Sequence, residues 1–357
     1  MTLRAVLVGT GAIAPAHVAA CREHAHRVTL AAAMNPDAGQ ARAFCGAHGI
    51  PAAYDDLGAM LAAERPDLAL IASPPAVHAA QITACLEAGA WALCEKPFCA
   101  SLAELDRIEA AERRTGQRAA SVFQVRFGAA GQRLKQLLDG GELGRPLLAV
   151  CHTLWFRDAA YYAAPWRGRW ASETGGTVMT HGVHEIDLLL WLLGDWREMR
   201  AVAATLAHEV EVDDAAAAAV TFANGALASV ISSAVSPRQE TYLRLDCQRA
   251  TVEARHLYGY TSADWTYTLP PGVEDPALLA RWRAVERDYP SSLAAQLAAF
   301  LDAYDRRAAP PVSGDELRRT LAFVAALYKS AFTGQAVRQG EITPDDPFYH
   351  AMNGAPA

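Results

Sequence analysis

The chain has 357 residues, 52% of them hydrophobic and 20% charged, with 32 Lys and Arg against 39 Asp and Glu. This balance excludes a disordered tail, a collagen-like repeat and a disulfide-held miniprotein, and at ~150 residues per domain the length predicts two domains with separate cores. A formal net charge of −7 argues against a nucleic-acid partner or an anionic membrane, whose phosphates need a basic surface.

From the start, short apolar runs alternate with amphipathic stretches. Strands are predicted over Leu3–Val8, Val28–Met34, Leu68–Ala72, Trp91–Cys94 and Ala119–Val125, near-continuously apolar as strands covered on both faces are. Helices are predicted over 12–24, 37–48, 76–89 and 101–115, two of them closed by Gly89 and Gly116. Right-handed crossovers turn this order into a doubly wound parallel sheet, an α/β Rossmann domain over residues 1–125.

After Phe127 the pattern changes. Residues 129–139 read as a helix, the run from Gly144 to Phe156 as a strand, and 176–193 as an apolar helix ending at Gly194. Strands follow over 198–208, 215–223, 226–234, 240–247 and 250–255 with little helix between them, and Asn224-Gly225 is a two-residue hairpin signal. Helices return at 291–305 and 314–334. Strands without crossover helices predict an α+β domain with a large, mostly antiparallel sheet over residues 126–357.

Gly9-Thr10-Gly11-Ala12-Ile13-Ala14 follows a buried strand and opens a helix, the context that gives a G-x-G-x-x-A string its meaning. Gly9 allows the tight turn, Gly11 lets the backbone approach a pyrophosphate, and Ala14 keeps the helix close to the sheet, so a dinucleotide is expected here. The second strand ends in Asn35, where an acid would hold the adenine ribose. An amide can bond a ribose hydroxyl and does not repel a 2′-phosphate, but no adjacent Arg attracts one, which leaves NAD and NADP both open. Ser73, Pro74 and His78 follow the next apolar strand, and Glu95-Lys96-Pro97 ends another, both at the carboxyl edge where such sheets hold ligands. A Pro-started helix explains His78 equally well, and spacing does not decide whether Lys96 is solvated or projects into a cleft. Thr180, His184 and Asp187 lie at i, i+4 and i+7, so an α-helix puts them on one face, with His181 rotated by about 60° from His184. His181-x-x-His184-Glu185 matches neither zinc-hydrolase helix spacing, and no metal is expected.

The series GTGAIA, ASPPAVHAAQ, LCEKPFCASLAE, GELGRP and GGTVMTHGVHEIDLLLWLLG, running from residue 5 to about 195, resembles the glucose-fructose oxidoreductase and inositol dehydrogenase (Gfo/Idh/MocA) family. The resemblance implies an oxidoreductase that passes hydride between NAD or NADP and a carbon of a sugar, cyclitol or related polyol. It matches the family's EKP lysine to Lys96 and its helix histidine to His184; Thr180 stands where the family often has an aspartate. On this basis His184 is the expected general base, since a neutral imidazole accepts a hydroxyl proton near neutral pH. Lys96 is the expected donor to the substrate oxygen, also orienting the cofactor ribose, and Thr180 stands beside them. Gln124 and Arg126 match positions near nicotinamide and substrate. Trp166 and Arg167, in the loop before the helix, suit a sugar face and its polar groups. His181 and Asp187 complete the expected substrate set, Asp187 alternatively fixing the histidine tautomer or lying on the helix surface.

The seven cysteines are scattered without a C-x-x-C pair and read as reduced thiols of a cytoplasmic protein. The segment MTLRAVLVGTGAIAP lacks the apolar region of a signal peptide, and no run approaches the ~20 apolar residues of a membrane span. An open sheet must be covered on its exposed face, for which the family uses subunit pairing, so a homodimer or homotetramer is expected. Two other functions fit the same motifs: a glycosidase that uses transient oxidation by bound NAD, and a non-catalytic nucleotide-binding regulator.

Overall fold

The computed structural model describes residues 2–355, which form two units. The first comprises the chain up to Val122 together with Leu293–Arg318, the second Phe123–Ser292 and the chain from Arg319 onward. The division at 125 expected from the sequence is therefore displaced by three residues, and the first unit also takes back a distant helix.

In the first unit the chain runs β1 (Leu3–Val8), α1 (Ala14–Glu23), β2 (Val28–Met34), α2 (Ala38–His48), β3 (Ala52–Tyr54), α3 (Leu57–Glu64), β4 (Leu68–Ile71), α4 (His78–Glu87), β5 (Trp91–Cys94), α5 (Leu102–Thr115) and β6 (Ala119–Ser121). The six strands lie in the order β3-β2-β1-β4-β5-β6, all neighbours parallel. This is the doubly wound Rossmann sheet expected from the alternation. Ala5, Leu7, Leu68, Leu70 and Leu93 are within 1% of full burial, which is why these strands read as unbroken apolar runs. Sequence reading missed β3 and α3, a three-residue strand and an eight-residue helix too short to show a period. β6 is also shorter than expected, because the chain leaves the sheet at Ser121 and makes a 3₁₀ turn over Gln124–Phe127.

The second unit continues with α6 (Ala129–Asp139), β7 (Pro146–Phe156), α7 (Ala159–Tyr162), α8 (Trp170–Glu173), a π-helical turn over Val178–Gly182, α9 (Val183–Leu193), β8 (Trp196–Ala204), β9 (Ala215–Phe222), β10 (Leu227–Ser233), β11 (Val235–Cys247), β12 (Thr251–His256), β13 (Trp265–Thr268) and α10 (Pro276–Arg283). Next come α11 (Leu293–Asp305), α12 (Gly314–Thr333), β14 (Val337–Arg338) and α13 (Pro347–His350). The eight strands β7–β14 form one sheet in the order β13-β12-β11-β7-β10-β9-β8-β14, antiparallel except for the pair β7 and β10. The hairpin at Asn224-Gly225 joins β9 to β10, with Gly225 at φ 89° as such a turn demands. The alanine tract 215–219 is strand despite its helix propensity, because both of its edges pair, with β8 and β10.

α11 belongs to the first unit. Leu297, Phe300 and Leu301 are buried in its core, and Trp91 meets Phe300 and Tyr304 edge-on at 5.8 and 5.0 Å. All seven cysteines are buried free thiols. Desolvation pushes Cys21 and Cys85 up to about 12, which keeps them protonated and unreactive at neutral pH. Among the described residues no helix is long and apolar enough to cross a membrane.

Candidate functional site

The first unit gathers most of the expected nucleotide residues at the carboxyl ends of its strands. Gly9 follows β1 with φ 97°, and its N–H donates to the Met34 carbonyl at 2.8 Å. A Cβ there would lie 2.8 Å from three backbone atoms of Ala72 and Ser73, so both the dihedral and the packing require glycine. At Gly11 a Cβ would meet nothing within 4 Å, leaving open space over the turn. Ala12 and Ile13 lead into α1, whose N-cap Ile13 offers no side-chain acceptor. An uncapped helix start beside an open glycine turn is a seat for a pyrophosphate, and the residues present fit a dinucleotide. Gly9→Ala is expected to weaken NADH binding by roughly tenfold or more, because strain of about 1–3 kcal/mol falls on the turn. Fluorescence titration with NADH measures this, and wild-type affinity in that variant would remove the turn from the site.

Asn35 sits at the end of β2, its Nδ2 donating to Thr10 Oγ1 at 2.7 Å and its Oδ1 accepting from the Asp37 amide at 2.9 Å. It thus braces the glycine turn as well as standing at the ribose position. Asp37 caps α2 by accepting from the Gly39 and Gln40 amides, bonds that hold its carboxyl below the usual carboxylate range. Ser73 is half-buried and hydrogen-bonded to Gln81, and Pro74 is exposed.

Two expected cofactor ligands are corrected. His78 is fully buried, with Nδ1 2.7 Å from the Pro97 carbonyl and Nε2 2.8 Å from the Ser73 carbonyl. Both ring nitrogens are spent on backbone, so His78 ties the loop after β4 to the turn after β5 and presents nothing to a cofactor. Burial pulls its pKa below the ordinary imidazole value, against the pull of the two carbonyls and Glu95. Glu95 is 7% exposed; Oε1 lies 3.0 Å from His17 Nε2 and Oε2 accepts from the Lys96 amide at 3.3 Å. Burial raises its pKa, but His17, Lys96 and His78 outweigh that and leave it ionised below the usual range. The carboxylate therefore braces the Lys96-Pro97 turn from beneath, leaving Lys96 half-buried at its tip. His17, three residues into α1, carried no signal in the sequence, because its partner lies 78 residues away.

In the second unit the helix bearing His184 is not continuous. Val178–Gly182 is a π turn, and α9 begins at Val183. A π turn is one residue wider than an α turn, so the i, i+4 stacking expected of Thr180 and His184 does not hold through it. Two contacts set this geometry. Asp213 accepts from the Gly176 and Val178 amides at 3.0 and 3.2 Å, and a Cβ on Gly182 would lie 2.0 Å from Ser232 Oγ, so only glycine lets this turn approach β10. Burial raises the pKa of Asp213, although Tyr328 and the amides oppose it. Thr180 Oγ1 donates to the Gly176 carbonyl at 2.8 Å and lies 3.1 Å from His181 Nδ1.

His181 is 4% exposed, and its Nε2 accepts from Arg157 Nε at 3.2 Å. Nε2 must then be unprotonated, which places the ring proton on Nδ1 toward Thr180. Tyr161 bonds the same His181, and its ring lies under the Arg157 and Arg167 guanidiniums, 5.2 and 3.8 Å from the centroid. Arg167 also stacks on Trp166 at 4.2 Å and pairs at 3.0 Å with Glu173, which is buried. Arg157, Tyr161 and Glu173 were not singled out from the sequence, being ordinary loop and strand-end residues until the fold assembles them.

His184 is 4% exposed, its ring edge-on to Phe123 and Tyr258 at 5.8 and 6.0 Å. Tyr258 accepts a bond from Gln124 Nε2 at 2.7 Å, so Gln124, expected at a Rossmann strand end, instead lies in the 3₁₀ turn beside this histidine. A cavity of about 10 Å³ adjoins the ring, bounded among others by His181, Glu185, Thr241 and Tyr258. The expected substrate pair Arg126 and Asp187 is corrected. The guanidinium grips both Asp187 oxygens with Nε and Nη2, and the side chains are 4% and 0% exposed. Thr320 adds a bond to Asp187 at 3.1 Å. This ion pair lies within the second unit's core and leaves no surface for a hydroxyl.

Residues 3–123 match an oxidoreductase family with an NAD-binding Rossmann fold, and residues 132–253 match the GFO/IDH/MocA C-terminal domain. The D-apiose dehydrogenase of Paraburkholderia graminis is 25% identical over 355 residues, covering 96% of this chain and 92% of that protein. Inositol 2-dehydrogenase 3 of Saccharopolyspora erythraea is 32% identical over 200 residues, so the match spans only about half of that relative, 55% of its length. The fold is similar to the WlbA dehydrogenase from Bordetella pertussis, solved with NADH and UDP-GlcNAcA, with a TM-score of 0.84 and 26% identity over 95% of this chain and 99% of that one.

Proposed function

This chain belongs to the Gfo/Idh/MocA family of NAD-binding oxidoreductases, and we propose that it oxidises a carbinol carbon of a sugar, cyclitol or related polyol, with His184 as the proton acceptor and Lys96 as the donor to the substrate oxygen. NAD bound at the glycine turn supplies the acceptor for the hydride. The observation that carries the reading is His184 itself: an almost fully buried imidazole set between two aromatic edges, beside a small cavity, on a helix whose entry is fixed by Asp213.

The division of labour follows from charge. As hydride leaves the carbon, the hydroxyl proton must leave the oxygen, and a neutral imidazole is suited to accept it. Lys96, a cation carried on a turn braced by Glu95 and His17, stabilises the alkoxide character that develops on that oxygen. Tyr161, Trp166 and Arg167 offer aromatic faces and a guanidinium for the rest of the sugar, while His181, with both ring nitrogens bonded to Arg157, Tyr161 and Thr180, holds Tyr161 and Arg157 in place. Thr180 serves as a positioning hydroxyl for His181. Asn35, without a carboxylate or a neighbouring Arg, admits NADP as well as NAD. The dehydrogenases with related sequences are named for an inositol and for apiose, and the WlbA structure holds a nucleotide-linked sugar acid, which sets the range of substrates to try.

A homodimer or homotetramer is part of this reading. The outward face of the eight-stranded sheet carries Leu148, Phe156 and Leu227 at 45, 46 and 53% exposure, an apolar patch that subunit pairing would cover. Seven buried thiols suit a reducing compartment, and we place the enzyme in the cytoplasm. The test is NADH formation over a panel of inositols, pentoses, hexoses and sugar acids. Turnover of at least one cyclic polyol or sugar is expected. Cleavage of a glycoside with no net NADH would replace the dehydrogenase by the glycosidase, and NADH binding without turnover of any member would leave a nucleotide-binding regulator.

A further inference from the structure

Glu185 has no part in the roles above, yet it follows His184 directly in α9, and its side chain is 3% exposed. Its Oε1 lies 3.4 Å from His256 Nε2, itself 3% exposed, while Oε2 is buried without a hydrogen-bond partner. A carboxylate oxygen sealed from water without a donor is strongly disfavoured, and native proteins fill such positions with ordered water. The cavity of about 10 Å³ that Glu185 shares with His184 has room for about one water molecule, and Thr153, Thr241 and Tyr258 also border it.

We propose that a water in this cavity bridges Glu185 Oε2 to His184, so that Glu185 supplies the negative charge that stabilises the imidazolium formed when His184 takes the substrate proton. This rests on the reading of His184 as the base. The proton moves from the substrate hydroxyl to His184 while the hydride moves from the carbon to NAD⁺, and Glu185 takes no proton in the step, acting as a positioning residue. The titratable groups facing this pair are Cys151 from β7, His181 from the π turn, His256 from β12, and Tyr258 and Tyr260 from the segment after it. Burial and then the Glu185 charge push Cys151 and Tyr260 up, so both stay protonated and neutral. Thr180, in the preceding turn, brings a hydroxyl and no charge. Asp187, three residues on from His184 in α9, has both oxygens held by Arg126, so its charge is already paired; Glu185 is the carboxylate of α9 that borders the cavity with His184.

The experiment is the pH dependence of kcat/KM for alcohol oxidation by the holoenzyme. Activity needs neutral His184, so its pKa appears as the acid limb. Glu185→Gln keeps the shape and removes the charge, which makes the imidazolium less stable; the limb moves to lower pH by about one unit, a tenfold change in proton affinity. Glu185→Asp keeps the charge and holds the limb nearer its wild-type position. An NMR titration of His184 in the unmodified holoenzyme tests the same point without a variant: a pKa above the ordinary imidazole value is expected, and one lowered by burial overturns the proposal. His184→Asn is assayed in parallel. If it retains full turnover, the base assignment falls; if it abolishes turnover while Glu185→Gln leaves the limb unmoved, only the role of Glu185 falls.

Discussion

His184→Ala lowers NAD-coupled turnover of the substrate found in the panel by about 10²- to 10⁴-fold, the usual range for loss of a general base, while NADH binds as before. Lys96→Ala lowers it by about 10²- to 10³-fold, as removal of a donor to a developing oxyanion does, and weakens NADH binding only modestly. The two effects differ in their pH behaviour. Without the base, the acid limb of kcat/KM disappears, because it reported the imidazole; without the lysine the limb remains and the whole profile drops. Both variants fold, since His184 borders a cavity and Lys96 sits half-buried at the tip of a turn whose bracing bonds come from Glu95, His17 and His78. Steady-state kinetics with NADH titration measures all three quantities. Wild-type turnover in either variant ends that residue's catalytic assignment.

Asp187→Ala destabilises the second unit by about 3–5 kcal/mol and has no direct effect on substrate affinity. The reason is the guanidinium it leaves behind. Arg126 is 4% exposed, gripping Asp187 through Nε and Nη2, and alanine would strand that cation in the core. Replacing both partners together, Arg126→Met with Asp187→Leu, recovers most of the loss, because the pair contributes less to stability than either half costs when left alone. Urea unfolding followed by tryptophan fluorescence measures the stability, and KM measured well below the midpoint measures the site. A folded Asp187→Ala protein with unchanged midpoint and a raised KM would restore Asp187 to the substrate site.

Where local chemistry decides structure, the sequence was legible. Strands β1, β2 and β5 and helix α6 fall on the predicted residues, and the turn at Gly9 was read from two glycines between a buried strand and a helix. Where a contact comes from far along the chain, it was not. The stretch 176–193 reads as one apolar helix, but its first turn is π-helical because Asp213 and Ser232 hold it, and neither is within reach of a helical period. Asp187 and Arg126 looked like polar residues offered to a ligand, and 61 residues of separation hid that they satisfy each other. By sequence His78 fits a ligand or an ordinary helix start equally; in the fold it is a clasp between two loops.

The sequence by itself determined the class of each unit and the family, because hydrophobic period, glycine placement and motif order are properties of neighbouring residues and survive without coordinates. Only the tertiary structure decided which polar side chains remain available for chemistry. Availability is the difference between a group's hydrogen-bonding capacity and the partners that folding brings to it, and those partners, His17 for Glu95, Arg126 for Asp187, Arg157 for His181, come from segments that the chain order does not connect.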